Sequence, residues 1–356
     1  MSREPLRVAV VGLGLMGSVM VKAFDGDPAW ELVAVCDPDP ASCDRALEGR
    51  PQTVASGDSS EVCDGAFLDS HRIDFVAIAS PPSSHADLSS RVLRAGRHVL
   101  CEKPLSPTAP EADEMTAEAA RHPDCLALVD FQLRFNPARR WLRDRLRAGL
   151  VGEPRLVTIV AGFPSLLGTE WTWWSDKRAG GGLLNEYGSH LVDLLQWLFG
   201  PVDLADGLLR TGESERPFGT VMRPVDSDDV ASFRLAWRSG LVADIVLSTF
   251  IRPNLRRLSV HGDEGSMVID KDDQITYYPG QGDRPVVEDL AEPMPSLIGS
   301  ATDSFSQPFL RLVREVAIAL REGREPVDVA TFGDGRSVVR VLERIRLSDQ
   351  KESVAV

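Results

Sequence analysis

The sequence has little lysine, few cysteines and few histidines. Only five of its 39 basic residues are lysines, at positions 22, 103, 177, 271 and 351. The five cysteines contain no C-x-x-C motif, and the six histidines are scattered, so no spacing is typical of a zinc site. We therefore expect buried free thiols, no metal, and a chemistry carried by side chains.

Long hydrophobic runs are also missing. No apolar stretch approaches the roughly 18 to 20 residues that a membrane-spanning helix needs, and the N-terminal run is too short and glycine-rich for a secretory signal. The net charge of −14 disfavours nucleic acid and anionic membranes, although many cytosolic proteins are simply acidic. We expect a cytoplasmic protein that binds neither.

The length of 356 residues favours two domains. In the first 131 residues, short apolar runs alternate with helical stretches, which predicts βαβ units around a buried parallel sheet. The predicted strands are Arg7–Val11, Leu32–Cys36, Phe75–Ala79, His98–Cys101 and Leu126–Val129. We predict an N-terminal Rossmann domain over 1–131, with a doubly wound parallel sheet.

The remaining residues, 132–356, show a different pattern. Closely spaced strands without intervening helices predict a large, mainly antiparallel sheet in an α+β domain. These strands are Arg155–Phe163, Asp229–Arg238, Leu241–Phe250, Arg257–Val260 and Ser266–Ile269, and helices are predicted at Pro137–Leu150, Ser304–Glu322 and Phe332–Leu347. This domain is expected to bind substrate, and its C-terminal helices can pack back on the first domain.

A glycine motif follows the first strand and opens a helix at Leu15–Phe24. Gly12 permits a tight turn, Gly14 lets the backbone approach a pyrophosphate, and Gly17 lets the helix pack on the strand. The helix N-terminus then points at the phosphates. We predict that this loop binds a dinucleotide through Gly12, Leu13, Gly14, Leu15, Met16 and Gly17.

Asp37 ends the second strand, twenty residues after Gly17. Its carboxylate can accept hydrogen bonds from the ribose hydroxyls of NAD and would repel the 2′-phosphate of NADP. NAD is therefore the expected cofactor. Alternatively, Asp37 caps a helix that begins at Pro40.

Two polar segments follow predicted parallel strands, at the edge of the sheet where ligands bind in open α/β folds. One contains Ser80, Pro81 and His85, and the other contains Glu102, Lys103 and Pro104. A lysine is chemically distinct from arginine here, because its pKa can be lowered beside a cationic nicotinamide so that it exchanges a proton with a substrate hydroxyl. Pro104 disfavours a helical conformation at Lys103.

A helix predicted at Glu186–Phe199 carries two stripes. Glu186, His190 and Asp193 share one stripe, and leucines 191, 194, 195 and 198 form another that faces the core. We expect the polar stripe to face a cleft. A lone histidine is more often structural, but the carboxylate one turn earlier and the three preceding glycines favour catalysis, whereas Asp193 is expected to be structural.

Several of these segments resemble one family. Residues 95–104 (AGRHVLCEKP) and 180–193 (GGGLLNEYGSHLVD) are similar to the signatures of the glucose-fructose oxidoreductase, inositol dehydrogenase and rhizopine-catabolism (Gfo/Idh/MocA) family. The glycine motif, Arg134-Phe135-Asn136-Pro137 and Gly262-Asp263-Glu264-Gly265 extend the resemblance over almost the whole chain. The family usually has Asp at the position of Glu186, which leaves open whether Glu186 orients the histidine or contacts substrate.

The resemblance implies a dehydrogenase that oxidises a ring secondary alcohol of a sugar, amino sugar or cyclitol. His190 is expected to take the hydroxyl proton, Lys103 to bond the same oxygen, and Glu186 to orient the imidazole. The implied cofactor contacts also include Ser80, Pro81, His85, Glu102 and Lys103, and the implied substrate contacts are Lys103, Arg134, Trp173, Trp174, Asn185, Glu186 and His190. A homodimer or homotetramer is expected by the same analogy.

Some alternatives remain. Trp171, Trp173 and Trp174 precede the triple glycine and suit either a sugar-binding face or a buried or subunit-interface cluster. Reduction of a nucleotide-linked keto-sugar is a second enzymatic interpretation, but it would call for clustered basic residues that the second domain lacks. A non-catalytic sugar or nucleotide sensor is disfavoured because both Lys103 and His190 are present.

We predict that kcat/KM is higher with NAD than with NADP by roughly 10- to 150-fold, which corresponds to a like-charge penalty of about 1–3 kcal/mol at Asp37. The Asp37→Ser variant should narrow this gap, because serine does not repel the 2′-phosphate. Steady-state kinetics with both cofactors measures the ratio. Equal values for the unsubstituted protein would contradict the assignment.

Overall fold

The computed structural model describes residues 4–271, 274–280, 284–289 and 306–352. They form two compact units. The first unit comprises the described part of Met1–Phe135 and Met294–Val339, and the second comprises the described part of Asn136–Pro293 and Arg340–Val356. The sequence prediction divided the chain once, after residue 131, whereas the first unit also takes in residues from near the C-terminus.

The strands are β1 (Leu6–Val11), β2 (Trp30–Cys36), β3 (Val54–Ser56), β4 (Phe75–Ile78), β5 (His98–Cys101), β6 (Ala127–Val129), β7 (Pro154–Gly162), β8 (Leu204–Arg210), β9 (Glu215–Phe218), β10 (Val221–Pro224), β11 (Val230–Ala236), β12 (Val242–Ser248), β13 (Arg256–Gly262), β14 (Gly265–Asp270), β15 (Gln274–Pro279), β16 (Val286–Asp289) and β17 (Ala330–Thr331). The α-helices are α1 (Leu15–Asp25), α2 (Pro40–Leu47), α3 (Ser59–Val62), α4 (Gly65–Ser70), α5 (His85–Arg94), α6 (Ala109–Arg121), α7 (Pro137–Arg147), α8 (Ser189–Phe199), α9 (Ser306–Glu322) and α10 (Phe332–Glu352).

The sheet of the first unit has the strand order β17-β6-β5-β4-β1-β2-β3. Strands β1 to β6 are parallel, and β17 is antiparallel to β6. This is the order of a Rossmann fold, so the predicted doubly wound sheet is confirmed. Its central strand β1 is apolar because both faces are covered, and Val8 to Val11 are at most 1% exposed.

An aromatic cluster packs α9 against this sheet. The ring centre of Phe24 lies 5.0 Å from that of Trp30 and 6.1 Å from that of Phe309. The ring centres of Trp30 and Phe75 are 5.1 Å apart. The Trp30 indole N–H donates to the carbonyl of Val313 in α9 at 3.3 Å. Helix α9 was predicted at Ser304–Glu322 and is observed at Ser306–Glu322, and residues 304 and 305 lie outside the described residues.

The second unit contains a sheet with the order β16-β15-β14-β13-β7-β12-β11-β8. All neighbouring pairs are antiparallel except β7 with β12, so the predicted mainly antiparallel sheet is confirmed. Helix α10 covers the edge strand β8: the amide of Gly207 donates to Ser348 Oγ at 2.8 Å, and that of Leu209 donates to Asp349 Oδ1 at 3.0 Å. These bonds protect an otherwise open sheet edge.

The cysteines occur as free thiols, as the sequence predicts. Four are buried, and Cys125 is partly exposed. Among the residues that the structure describes, no helix is both long and apolar enough to cross a membrane. The same residues contain no group of three or more His, Cys, Asp or Glu side chains that could hold a metal ion.

Candidate active site

The glycine loop between β1 and α1 has a separate structural reason for each glycine. Gly12 has φ +89°, and a Cβ there would lie 2.5 Å from the backbone of Ala79. A Cβ on Gly17 would lie 1.8 Å from the Gly12 carbonyl oxygen, whereas a Cβ on Gly14 would meet no protein atom within 4 Å. Packing therefore requires glycine at 12 and 17, and the space beside Gly14 fits the close approach of a pyrophosphate.

The N-terminus of α1 is available for phosphate binding. Gly14 is its N-cap and supplies no side-chain hydrogen bond to the first amides. Because the first amides of a helix lack partners within the helix, they attract anions. Among the other loop residues, Leu13 is buried and Leu15 is 74% exposed at the start of the helix.

Asp37 follows β2 and is bonded to the glycine loop. Its Oδ2 accepts a hydrogen bond from the Leu13 amide at 2.7 Å, and its Oδ1 accepts one from the Asp39 amide at 2.9 Å. The side chain that caps α2 is Asp39, so the alternative in which Asp37 caps this helix is wrong. Each Asp37 oxygen still has acceptor capacity for a ribose hydroxyl.

His85 departs from its predicted role. It has no exposed surface, its Nε2 lies 2.8 Å from the Ser80 carbonyl, and its Nδ1 lies 3.1 Å from the Pro104 carbonyl. Burial lowers the pKa of His85. The ring therefore joins the loop after β4 to the loop after β5, and it offers no surface for direct contact with a dinucleotide.

Glu102 and Lys103 follow β5 directly. They are buried, with 6% and 8% exposure, and Glu102 Oε2 accepts a hydrogen bond from the Lys103 amide at 3.0 Å. Strands β5, β4, β1 and β2 are neighbours in the sheet, so the structure gathers the predicted cofactor residues of the first unit along one edge. They include the glycine loop, Asp37, Ser80, Pro81, Glu102 and Lys103.

Arg134, a predicted substrate contact, lies in a 3₁₀ turn at Gln132–Phe135. It is 6% exposed, and its Nη2 lies 3.4 Å from Asp334 Oδ1 near the N-terminus of α10. The arginine is thus held in an ion pair within the first unit.

In the second unit, the predicted helix at 186–199 begins with a different geometry. Residues Leu184–Gly188 form a π-helical turn, and α8 begins at Ser189. The strict 3.6-residue period therefore does not extend from Glu186 to His190, because a π turn is wider. Such turns occur frequently at functional sites.

The leucine stripe of α8 is confirmed at its first three positions, whereas Leu198 is only partly buried, and the polar stripe is buried as well. Leu191, Leu194 and Leu195 are at most 1% exposed, and His190 and Asp193 are each 2% exposed. Glu186 is only partly buried. The expectation of an open polar face was wrong, because α8 is covered on both stripes between residues 189 and 195.

Asn185 was predicted to contact substrate, and the structure uses both ends of its side chain internally. Its Nδ2 donates to the Gly180 carbonyl at 2.9 Å, and its Oδ1 accepts a hydrogen bond from Arg346 of α10. The side chain is 5% exposed. This geometry corrects the prediction, since Asn185 connects the glycine-rich loop to α10 and thereby holds the π turn.

Asp228 holds the same turn from the other side. Its Oδ2 accepts a hydrogen bond from the Leu184 amide at 2.8 Å, and a Cβ on Gly182 would lie 2.2 Å from its Oδ1. Burial raises the pKa of Asp228 to about 6, and the positive charge of Arg346 lowers it. Burial lowers the pKa of Arg346 in turn. This buried polar cluster fixes the turn that carries Glu186.

The tryptophans differ in environment. Trp171 donates from its indole N–H to the Pro224 carbonyl at 3.0 Å, and the guanidinium carbon of Arg216 lies 4.7 Å from the ring centre of Trp174. Arg216 is 1% exposed and pairs with Asp229 at 2.9 Å. Trp173 is 39% exposed. Packing therefore explains two of these rings, and Trp173 remains accessible to a ligand.

Sequence reasoning missed four charged residues that are prominent in the structure. They are Asp130, Arg216, Asp228 and Arg346. One signal was present: Asp130 interrupts the apolar run Leu128-Val129-Asp130-Phe131, and a carboxylate next to a buried strand needs a reason. For Arg216 and Arg346 the sequence gives no comparable signal, because their partners come from other elements.

The comparisons with known proteins agree with this geometry. Residues 6–131 match the sequence model of an oxidoreductase family with an NAD-binding Rossmann fold, and residues 140–268 match the GFO/IDH/MocA C-terminal domain. Glucose-fructose oxidoreductase domain-containing protein 2 of Xenopus laevis is 30% identical over 298 residues, which cover 78% of this chain and 76% of that protein.

Two further proteins are similar along most of the chain. Levoglucosan dehydrogenase of Pseudarthrobacter phenanthrenivorans is 27% identical over 318 residues, covering 79% of this chain and 78% of that protein. The crystal structure of an oxidoreductase domain protein from Kribbella flavida superposes with a TM-score of 0.85 at 26% identity, covering 98% of each chain.

The glycine loop, the strand order and these similarities define an NAD-binding oxidoreductase. The chain belongs to the Gfo/Idh/MocA family, as its sequence motifs predicted.

We predict that Arg346→Ala lowers the free energy of unfolding by about 1–3 kcal/mol, because it removes a charged hydrogen-bond donor from Asn185 and a positive charge from Asp228. The loss should be larger at pH 8 than at pH 5, since Asp228, with a pKa of about 6, is mostly protonated at pH 5. Denaturant unfolding at both pH values measures this difference. The matched control is Arg344→Ala, an exposed position in the same helix, with an expected effect within about 0.5 kcal/mol; equal losses in both variants would contradict the prediction.

Proposed function

We propose that the protein oxidises a ring secondary alcohol of a sugar, amino sugar or cyclitol to a ketone, with NAD as cofactor. The observation that carries this proposal is the position of Lys103. One of only five lysines in the chain lies at the carboxyl end of β5, on the sheet edge that also carries the glycine loop and Asp37. The name of the related levoglucosan dehydrogenase supports a ring-shaped substrate.

The NAD would be held by the glycine loop, Asp37, Ser80, Pro81 and Glu102. When bound, it would supply the acceptor for the hydride that the carbinol carbon of the substrate loses. The open space beside Gly14 and the uncapped N-terminus of α1 fit its pyrophosphate. The carboxylate of Asp37 fits a ribose with free hydroxyls.

Lys103 is proposed to hydrogen-bond the hydroxyl oxygen of the substrate. Its side chain is almost fully buried, so it acts where water is scarce and an ammonium group interacts strongly with developing negative charge on oxygen. An arginine would keep its proton at any working pH, whereas lysine can also exchange one.

His190 is proposed to be the general base that takes the hydroxyl proton. It is buried in the first turn of α8, and its ring centre lies 6.3 Å from that of Tyr187. Glu186 is proposed to orient the imidazole. It lies in the π turn that Asn185 and Asp228 hold, so its carboxylate is presented by a braced segment.

Among the predicted substrate contacts, Trp173 is the one with a substantially exposed ring, and an exposed aromatic face suits the C–H face of a ring substrate. Trp174 and Arg134 are each proposed to contribute to substrate binding from a braced position within its own unit. Asn185 is proposed to act indirectly, through the π turn.

A panel of cyclic alcohols tests the substrate class. The purified protein is incubated with NAD and inositols, aldoses, anhydrosugars, amino sugars and sugar acids, and NADH formation is followed by absorbance. We expect a neutral or amino-bearing ring alcohol to give NADH. Turnover confined to a parallel assay, in which NADH is consumed with nucleotide-linked keto-sugars, would replace this proposal with the alternative reductase. Absence of any turnover together with tight sugar binding would indicate a sensor.

We predict that Lys103→Ala and His190→Ala each lower kcat by about 10²- to 10⁴-fold while NADH binding, measured by fluorescence, changes little. Both residues act on the substrate proton and not on the phosphates of the cofactor. Because both act in one step, the double variant should lose little more than the worse single variant. The control is Lys22→Ala, at an exposed position of α1. Near-normal turnover in either variant would remove that residue from the mechanism.

We also propose that the protein is a homodimer or homotetramer that associates through the second sheet. The exposed apolar residues on one face of this sheet include Leu156, Leu204, Leu208 and Val246. Leu208 and Val246 lie in the same cross-strand row, on either side of Ser232. Exposed apolar patches of this kind mark association surfaces.

The Leu208→Glu substitution should therefore lower the molecular mass in solution, to that of a monomer from a dimer and to that of a smaller oligomer from a tetramer, because it places a charge in the apolar face. Sedimentation analysis measures the mass. Ile318→Glu, at an exposed apolar position of α9, is the control and should leave the mass unchanged. A monomeric parent protein would exclude the proposed assembly.

A further inference from the structure

Two carboxyl groups follow the neighbouring strands β5 and β6, next to Lys103 in the sequence and in the sheet. Strands β5 and β6 are parallel neighbours, and Cys101 is in register with Val129. Glu102 and Asp130 directly follow β5 and β6, and the Asp130 amide donates to the Cys101 carbonyl at 2.8 Å, so the backbone pairing continues to these two residues. Residues at the same register position on parallel strands point to the same side of a sheet, which brings these two carboxyl groups together.

Both groups are withdrawn from water. Asp130 has no exposed surface, Glu102 is 6% exposed, and Lys103 is 8% exposed. Two adjacent buried carboxylates cannot both keep a charge at low cost, so such pairs generally retain one proton. The titratable neighbours of Asp130 are the Cys101 thiol, the Glu102 carboxyl group and the Lys103 ammonium.

Of the two carboxyl groups, Asp130 is the one that retains the proton. Burial raises the pKa of Asp130 well above its ordinary value, the adjacent Glu102 raises it further by charge and by a hydrogen bond, and the Lys103 charge opposes this. Glu102 accepts a hydrogen bond from the Lys103 amide, which favours the ionised form at Glu102. Asp130 is thus a neutral carboxylic acid, and the adjacent Glu102 is an ionised carboxylate.

We propose that Glu102 and Asp130 form a proton-sharing carboxyl pair that fixes the position of Lys103, which makes Asp130 a positioning residue for the lysine. This inference rests on the proposed function where it concerns activity. The protonated Asp130 donates a hydrogen bond to Glu102, and Glu102 in turn accepts a hydrogen bond from the backbone amide of Lys103. Asp130 thus acts on the lysine through Glu102.

Infrared difference spectroscopy tests the protonation directly, without substrate. At pH 8 Asp228, with a pKa of about 6, is ionised and does not contribute a carboxylic acid band. The Asp130→Asn variant should therefore lose the C=O band of a protonated carboxylic acid. The matched control is Glu118→Gln, because hydrogen bonds from Arg94 and Arg121 hold the pKa of this buried carboxyl group at about 2. That variant should lose only bands of an ionised carboxylate.

The sharing of one proton is tested by Glu102→Gln. If Asp130 keeps its proton because of the neighbouring negative charge, the acid band at pH 8 should weaken in this variant, since the Lys103 charge then favours an ionised Asp130. An unchanged acid band would show that burial alone protonates Asp130 and would overturn the pairing. Loss of an ionised carboxylate band in Asp130→Asn would overturn it as well.

Activity gives a second readout. Asparagine resembles the protonated acid in shape and can donate a hydrogen bond, so Asp130→Asn should lower kcat far less than Asp130→Ala, for which about 10- to 100-fold is expected from misplacement of the lysine. Asparagine has no acid proton to lose. If ionisation of Asp130 sets the alkaline limb of the pH profile of kcat, this limb should move to higher pH in Asp130→Asn and stay in place in Glu118→Gln. An unmoved limb would reduce Asp130 to a structural residue.

The two proposals fail separately. If Lys103→Ala keeps normal turnover, the proposed chemistry is wrong, and the infrared result still decides whether the pair shares a proton. If Lys103 is required and the acid band is absent from the parent protein, only the pair is excluded.

Discussion

The parallel pairing of five neighbouring strands is the constraint on which the first unit depends. Because β6, β5, β4, β1 and β2 run in one direction, the residue after each strand emerges at the same edge of the sheet. Polar residues follow the carboxyl ends of four of these strands, and the glycine loop follows β1. These polar residues are Asp130, Glu102, Ser80 and Asp37. No loop has to bring them together, since the backbone ladder already does so.

The second unit achieves similar order by side-chain hydrogen bonds. A π turn is less stable by itself than a turn of α-helix, and it persists where contacts with neighbouring residues stabilise it. Here Asp228 binds the Leu184 amide, and Asn185 is bonded to both Gly180 and Arg346. The segment that presents Glu186 and leads into His190 is therefore braced, as the proposed role of these two residues in proton transfer requires.

The sequence predicted best what depends on local pattern. The glycine motif, the alternation of strands and helices, and the leucine stripe of α8 were correct because their periodicities are fixed by backbone geometry. His85, Asn185 and the polar stripe were misjudged because their surroundings are made by distant residues. Arg346 lies 161 positions after Asn185, and no local pattern predicts that contact.

The proposed function requires that the ring carbinol carbon lose a hydride directly to the acceptor that bound NAD would supply. The decisive measurement uses a ring alcohol that supports NADH formation, deuterated at the carbon that becomes the ketone. Mass spectrometry of the reduced cofactor should show one deuterium per molecule, and the deuterated substrate should react more slowly if carbon–hydrogen cleavage limits the rate. Reduced cofactor without deuterium would contradict direct transfer and with it the proposed reaction.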